Sequence, residues 1–373
     1  MTGNAPPTIL HLIDTTGPGG AETVFICLVR ELQKTEFRNV VVLRGEGYVA
    51  DQIRALGITP YIIDSKGSFN LGYLKALRKL VKSEGVSLIH AHLLGSNVYG
   101  ALLAMLCRKP MISTFHGAVD VATGERFLRA KFLIVGWGSS AIICVSKGLE
   151  KQLTERSALP SNKLKLIYNG VDPDVFKRGS ETGLREELGI PLEATIVVSI
   201  GNVRPAKGYS YLVDAAIELA ESDPNTHFVV VGHQRESVFK PLLQKIAASK
   251  TKPAIHWLGF REDVASILCQ ADLFLLPSIS EGFSISTVEA MMAGIPVIAT
   301  RSGGPEEIVD DGKTGILVPV KDSGAINSAI QCLKAPALRE NLVIDAREHA
   351  MKKFSLSSML QGYLDLYRQL TQR

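Results

Sequence analysis

The sequence holds no apolar run long enough to cross a bilayer. The longest candidates, Leu93 to Cys107 and Phe132 to Ser146, are free of charge and histidine for 15 residues each and are interrupted by glycine and serine, short of the roughly 20 residues a spanning helix needs. The opening residues, MTGNAPPTILHLIDTT, lack the basic start and apolar centre of a secretory signal. Cysteine is scarce: Cys27, Cys107, Cys144, Cys269 and Cys332 stand singly in apolar context with no C-x-x-C pair. That spacing argues against a disulfide framework and reads as reduced core thiols in a cytoplasmic protein. The first glycine-rich turn, DTTGPGGAETVF, lacks the G-x-G-x-x-G spacing, and the next strand ends in Arg44 rather than an acid that could hold a ribose. Nicotinamide binding is therefore disfavoured.

At 373 residues, 46% hydrophobic and 21% charged, the chain suits two globular domains. Short apolar runs alternate with helical segments throughout, the pattern of parallel sheets covered on both faces. Strands are expected at Thr8–Ile13, Asn39–Leu43, Ser87–Ala91, Met111–Thr114, Ala141–Val145 and Lys165–Tyr168, then at Thr195–Ile200, His227–Val231, Ile255–Leu258, Leu273–Leu276 and Pro296–Ala299. The turn-rich segment YNGVDPDVFKRGSETG separates the two sets and places the hinge near 170 to 180. The net charge of +4 conceals an asymmetry. Residues 1–178 carry 22 Lys and Arg against 14 Asp and Glu, whereas residues 179–373 carry 19 against 23. A basic first half suits an anionic partner such as a membrane surface or a phosphorylated acceptor, and ordinary solvated lysines would look the same.

The most informative stretch is Leu273–Thr300, LFLLPSISEGFSISTVEAMMAGIPVIAT. Leu273–Leu276 reads as a buried strand, Pro277–Ser284 as a polar connection, and Thr287–Ala293 as helix. Glu281 then lies in the loop and Glu289 on the first turns of the helix, about 6 Å along the axis from a start near Ser286. Both carboxylates can face one cleft. The helix start, capped by Ser284 or Ser286, offers unpaired N–H groups to a phosphate. A diphosphate between two hydroxyl-binding carboxylates is the outline of a nucleotide-sugar site.

This text, E-x7-E within PS-x3-EGF and EAMMAG-x-PV, resembles the retaining glycosyltransferases of family 4, the group 1 glycosyltransferases. The resemblance implies the GT-B fold: two Rossmann-like, doubly wound parallel-sheet domains facing a cleft. It implies an N-terminal acceptor domain over 1–174, joined by a terminal helix at about 356–373, and a donor domain over 175–355. Glu281 would bond hydroxyls of the transferred sugar and Glu289 the ribose, with Gly282, Phe283, Ser284 and Ile285 beside the donor. Gly19 and Gly20, in GPGGAE, would form the wall facing the donor's phosphate and sugar. A merely tight turn is the alternative there.

Other positions follow the same resemblance. Arg204 and Lys207, in GNVRPAKG, stand at a strand's C-terminal end, where two cations could neutralise a departing diphosphate. The family commonly has arginine directly after the glycine, where this chain has Asn202. Gly232 stands where the family often has two glycines, with His233 in the second place. Gly259 and Phe260, in WLGFREDV, resemble the segment that cradles the base, commonly uridine. His116, in STFHG, resembles the histidine beside the reacting anomeric carbon. His90 and His92, in LIHAHLLGSN, suggest a metal pair, but no third ligand cluster accompanies them, and His92 reads as lining on the acceptor side. Asp172 and Asp174 form D-P-D within a linker turn rather than a manganese site. Arg126, Arg129 and Lys131, among Phe127, Phe132 and Trp137, could rest on an anionic leaflet, or the apolar residues could be core.

The activity expected is transfer of a sugar from a nucleotide-diphosphate donor, a UDP-sugar by resemblance, with retention and without metal or other cofactor. The acceptor would be a glycan, a lipid-linked or a small molecule in glycoconjugate or cell-surface polysaccharide synthesis. No nucleic-acid partner is expected. The location expected is the cytoplasm, at the inner membrane face if the basic helix docks. A GT-B epimerase acting on a UDP-amino sugar and a catalytically silent nucleotide-sugar binding protein are the alternatives.

Overall fold

The computed structural model describes residues 6–65, 69–117, 126–156, 158–176 and 183–372. The chain divides into two compact units: Met1–Gly170 with Ser357–Arg373, and Val171–Leu356.

Unit 1 is built on a seven-stranded sheet: β1 (Thr8–Ile13), β2 (Arg38–Leu43), β3 (Tyr61–Ile62), β4 (Val86–His92), β5 (Met111–Phe115), β6 (Ala141–Cys144) and β7 (Leu164–Leu166). The spatial order is β3-β2-β1-β4-β5-β6-β7, with every neighbouring pair parallel. The central strands are buried along their whole length, which is why they read as continuous apolar runs rather than alternating ones. β3 has no counterpart among the expected strands. It is two exposed residues at the sheet edge, too short to leave a periodic signal.

Unit 2 carries a six-stranded parallel sheet: β8 (Thr195–Ile200), β9 (Thr226–Val231), β10 (Ala254–Gly259), β11 (Leu273–Leu276), β12 (Val297–Thr300) and β13 (Ile316–Val318), in the order β10-β9-β8-β11-β12-β13. β13 was likewise not expected from the sequence, being only three residues long. In each sheet the strand order reverses once, at β1/β4 and at β8/β11. Open parallel sheets bind ligands beyond the strand C-termini at such points.

The last helix, Leu356–Thr371, follows unit 2 in sequence but belongs to unit 1 from Ser357 onward. It buries Tyr363 and Tyr367 completely, and Tyr367 meets Phe37 edge-on at 5.5 Å. All five cysteines are free, but Cys332 is exposed. That corrects the expectation of five core thiols: Cys332 is the final residue of the helix Ser323–Cys332, whose buried positions are Ile326, Ala329 and Ile330. Residues 177–182 of the expected hinge lie outside the described residues. At Asp172, the side chain accepts the N–H of Asp174 at 3.0 Å, a turn that opens the short 3-10 segment Pro173–Phe176.

Candidate active site

In unit 2 the chain leaves β8 through a loop and the 3-10 turn Pro205–Lys207, then enters the helix Tyr209–Ser222 at Gly208. Gly208 has φ +65°, and a Cβ there would stand 1.9 Å from the Pro277 carbonyl oxygen. Only glycine lets these two loops close on each other. The contact is sealed by Ile279 N–H donating to the Ala206 carbonyl at 2.8 Å. The closure brings two residues 74 apart in sequence together: Lys207 Nζ lies 2.6 Å from Glu281 Oε1. Ser278 Oγ donates to the same oxygen at 2.5 Å, whereas Glu281 Oε2 has no hydrogen-bond partner among the described residues. The Glu281 backbone is pinned as well. Its N–H donates to the Ser302 carbonyl at 2.9 Å, and its carbonyl accepts from Gly304 at 3.0 Å.

Arg204 is exposed and makes no ion pair among the described residues. It is an uncommitted cation three positions before Lys207.

The helix after Glu281 runs Ile285–Ala293, starting one residue before the expected position. Ser284 is its cap: Ser284 Oγ accepts the Thr287 N–H at 3.4 Å and the Thr287 hydroxyl at 2.8 Å. The N–H groups of Ile285 and Ser286 thus begin a helix at its positive dipole end. Ser286 is not the cap. Its hydroxyl lies 3.4 Å from Ser284 Oγ. Phe283 is buried with its ring 5.6 Å from Phe354, so that side chain serves packing. Glu289, part-exposed on the helix, has its carboxyl pushed up to about 7 by burial.

Beyond β9 and β10, Gly232 N–H donates to the Gly259 carbonyl at 2.7 Å. Gly232 has φ +145°, and a Cβ on it would fall 2.3 Å from the Gly201 carbonyl oxygen, so the ends of β8, β9 and β10 are closely knit. His233 and Phe260 cap this edge as parallel rings 5.0 Å apart. The His233 backbone N–H donates to Asn202 Oδ1 at 3.0 Å.

In unit 1 the C-terminal ends of β1, β4 and β5 gather four histidines. His11, His90 and His92 are completely buried, and His116 follows β5 immediately. Parallel register sets His11 beside His90, and alternation puts His90 and His92 on one face of the sheet. His92 Nδ1 lies 3.1 Å from His116 Nε2. His90 is engaged at both nitrogens, with Tyr367 Oη at 2.6 Å and Thr114 Oγ1 at 2.8 Å. Burial lowers the basicity of all four, His11 and His116 to about 4 and the other two well below the usual imidazole value. They are neutral at pH 7. The next residue, Leu93, holds φ 70° and ψ 158°, a conformation almost confined to glycine.

Two models of known families match this chain. The group 1 glycosyl transferase model covers residues 180–349, and the glycosyltransferase family 4 model covers residues 18–175. The chain belongs to the family 4 glycosyltransferases. Among curated relatives, the D-inositol 3-phosphate glycosyltransferase of Corynebacterium kroppenstedtii is 30% identical over 309 residues, 75% of this chain and 66% of that protein. The N-acetyl-alpha-D-glucosaminyl L-malate synthase of Bacillus anthracis is 27% identical over 315 residues, 83% and 82% of the two chains. Among solved structures, Anabaena HepE in complex with UDP and glucose matches with a TM-score of 0.88 at 24% identity, covering 98% of this chain and 100% of that one. The fold is GT-B. Family 4 membership sets the activity class, transfer of a sugar from a nucleotide-sugar donor.

Of the residues expected from family 4 motifs, Lys207 and Glu281 are in direct contact, and Gly232, Gly259 and Phe260 share one edge of unit 2. Gly19 caps the helix Gly20–Leu32 in an extended conformation open to any residue, and Glu22 stands in that helix's first turn. His92 and His116 meet in unit 1. Arg126 sits 4.8 Å over the Phe127 ring, and Arg129 is exposed. Phe127 and Trp137 are 68% and 70% exposed while Phe132 is buried, so the aromatic residues of this segment divide between surface and core.

The expectation that no third ligand cluster accompanies His90 and His92 is corrected by His11, since the three offer ligand atoms within 4.8 Å of one another. Residues 79 positions apart become neighbours only when β1 and β4 pair. Both nitrogens of His90 are already bonded, so a metal here would have to displace Tyr367 or Thr114. Sequence reasoning also missed Ser278 as a partner of Glu281, although it stands in the quoted PS-x3-EGF text. Asp14 was missed too: it directly follows β1, burial raises its carboxyl, and it accepts the Ser96 backbone N–H. A lone aspartate after a strand carries no local signal of that role.

Proposed function

We propose that the chain transfers a hexose-type sugar from a UDP-sugar to a glycan or lipid-linked acceptor, with retention and without a divalent metal. One observation supports this above the others: at the β8/β11 reversal, Glu281 is fixed through one carboxylate oxygen and presents the other, beside Lys207 and a capped helix start. Glu281 Oε2 accepts hydrogen bonds from sugar hydroxyls. Lys207, Arg204 and the N–H groups of Ile285 and Ser286 receive the diphosphate and stabilise its charge as the glycosidic bond breaks. Glu289 takes the ribose, and the His233 and Phe260 edge borders the base. By the family resemblance His116, neutral at physiological pH, would serve the reacting carbon by donating or accepting a hydrogen bond without adding charge. The departing phosphate accepts the acceptor's proton, so no enzyme nucleophile is required.

The base and sugar are supported by HepE, whose structures hold UDP with glucose and UDP-glucose. The test is thermal stabilisation across UDP-, GDP- and ADP-sugars, followed by product analysis with the stabilising donor. A ligand at 100 times its dissociation constant adds about 2.7 kcal/mol. Stabilisation by a GDP- or ADP-sugar alone would overturn the base assignment, and release of free epimerised sugar without any acceptor would make the chain an epimerase.

The acceptor end of the reading is a peripheral site at the cytoplasmic face of a membrane. No helix among the described residues is long and apolar enough to cross one. The exposed rings of Phe127 and Trp137 beside Arg126 and Arg129 match an anionic interface, where each basic residue contributes about 1 kcal/mol. Neutralising Arg126, Arg129 and Lys131 together should abolish co-sedimentation with anionic vesicles. Equal sedimentation of wild type and triple variant with anionic and neutral vesicles would point to a soluble acceptor.

A further inference from the structure

We infer that Ser278 is a positioning residue, holding the Glu281 carboxylate in the one orientation that leaves Oε2 open to the donor sugar. This rests on the reading of Glu281 as the sugar-binding carboxylate. A glutamate has three side-chain torsions, and a site that depends on one of its oxygens must suppress them. Two donors do so here by meeting at Oε1, Lys207 Nζ at 2.6 Å and Ser278 Oγ at 2.5 Å. They differ in what else they must do. Lys207 is an ammonium beside the diphosphate position, so its charge is divided once a nucleotide enters. Ser278 is completely buried and its hydroxyl has no other partner among the described residues, so it keeps hold of Oε1 throughout.

The serine is itself braced. The Thr300 hydroxyl, at the end of β12, donates to the Ser278 carbonyl and lies 3.3 Å from the Leu276 carbonyl. The next residue, Ile279, is tied by its N–H to Ala206 at 2.8 Å. A buried serine could satisfy its hydroxyl on nearby backbone, as serines at strand and helix ends commonly do. This one donates it to a carboxylate three residues away in the same loop.

The experiment compares the affinity of the full chain for UDP and for UDP-glucose by calorimetry in wild type, Ser278→Ala, Glu281→Gln and the double variant. Ser278→Ala should leave UDP affinity unchanged and weaken UDP-glucose about tenfold, roughly 1.4 kcal/mol. In the Glu281→Gln background the same substitution should change nothing, because a residue acting only through Glu281 has no additive effect. If Ser278→Ala does not fold, Thr300→Val serves in its place, with a smaller loss of UDP-glucose affinity that also vanishes in the Glu281→Gln background. Equal weakening of UDP and UDP-glucose, or the same loss in both backgrounds, would overturn the inference. Glu281→Gln that binds UDP-glucose as wild type does would instead overturn the assignment of Glu281, whereas a loss for Glu281→Gln with none for Ser278→Ala removes the role of the serine alone.

Discussion

Replacing Glu289 by glutamine should stabilise unit 2 and weaken nucleotide binding, with both effects set by pH. Burial holds the Glu289 carboxyl at about 7, against 4.5 for the free group. The folded state therefore favours the protonated form: the stability this group contributes is fully present below pH 4.5 and is lost as pH rises through 7. At 1.36 kcal/mol per unit the cost of ionising it in place is about 3 kcal/mol at pH 8. Part of the residue remains open to water, so that figure is a ceiling. Glutamine has the shape of the protonated acid and never ionises. For a unit of this size, about 3 kcal/mol corresponds to an increase in melting temperature of roughly 6 to 12 °C at pH 8. At pH 4.5 and below, the difference should disappear. Differential scanning calorimetry of both proteins from pH 4.5 to 8.5, with and without UDP, measures each effect. If Glu289 accepts from the ribose, UDP should raise the wild-type melting temperature more than the variant's, narrowing the gap. A variant that melts below wild type at pH 8, or a gap that does not change with pH, would refute the reasoning.

Three further outcomes follow from the same geometry. Because His11, His90, His92 and His116 have lowered folded-state pKa values, the stability they contribute is present above pH 6.5 and lost as pH falls towards 4; at about 3 kcal/mol for each of His11 and His116, unit 1 should unfold before unit 2 on acidification. Tryptophan fluorescence separates the units, since Trp137 lies in unit 1 and Trp257 in unit 2, and a first transition at Trp257 would contradict this. Gly208→Ala should destabilise by at least about 2 kcal/mol, because a left-handed residue gains a Cβ against the Pro277 carbonyl; an unchanged denaturation midpoint would show that the loops separate easily. Transfer should persist in excess chelator, since Arg204, Lys207 and a helix start already meet the diphosphate's charge, and loss of turnover restored by manganese alone would mean that a metal does that work.

How much of the site was legible in the sequence depends on how far apart its members lie along the chain. Glu281, Ser284 and Glu289 fall within one strand, loop and helix, so spacing puts Glu281 in the loop and Glu289 on the helix and narrows the cap to Ser284 or Ser286, of which the structure shows Ser284. The sheets were legible for a related reason: strands buried on both faces must be apolar throughout. β3 and β13, at two and three residues, are too short to carry that pattern.

The pairing of Lys207 with Glu281, the serine that shares its oxygen, and the meeting of His11 with His90 and of His90 with Tyr367 were decided only by tertiary structure. Apart from Ser278, which shares a loop with Glu281, each joins side chains carried by different strands, loops or helices. In parallel sheets every neighbouring strand arrives by a long crossover, so residues dozens of positions apart share one sheet end. No local periodicity records which of them will meet. The sequence by itself determines the fold class and the glycosyltransferase motif, because both are written in short-range patterns of burial and spacing. The sheet order and the close approach of the loops at Gly208 and Pro277 determine which oxygen of Glu281 is held and which is left for a ligand.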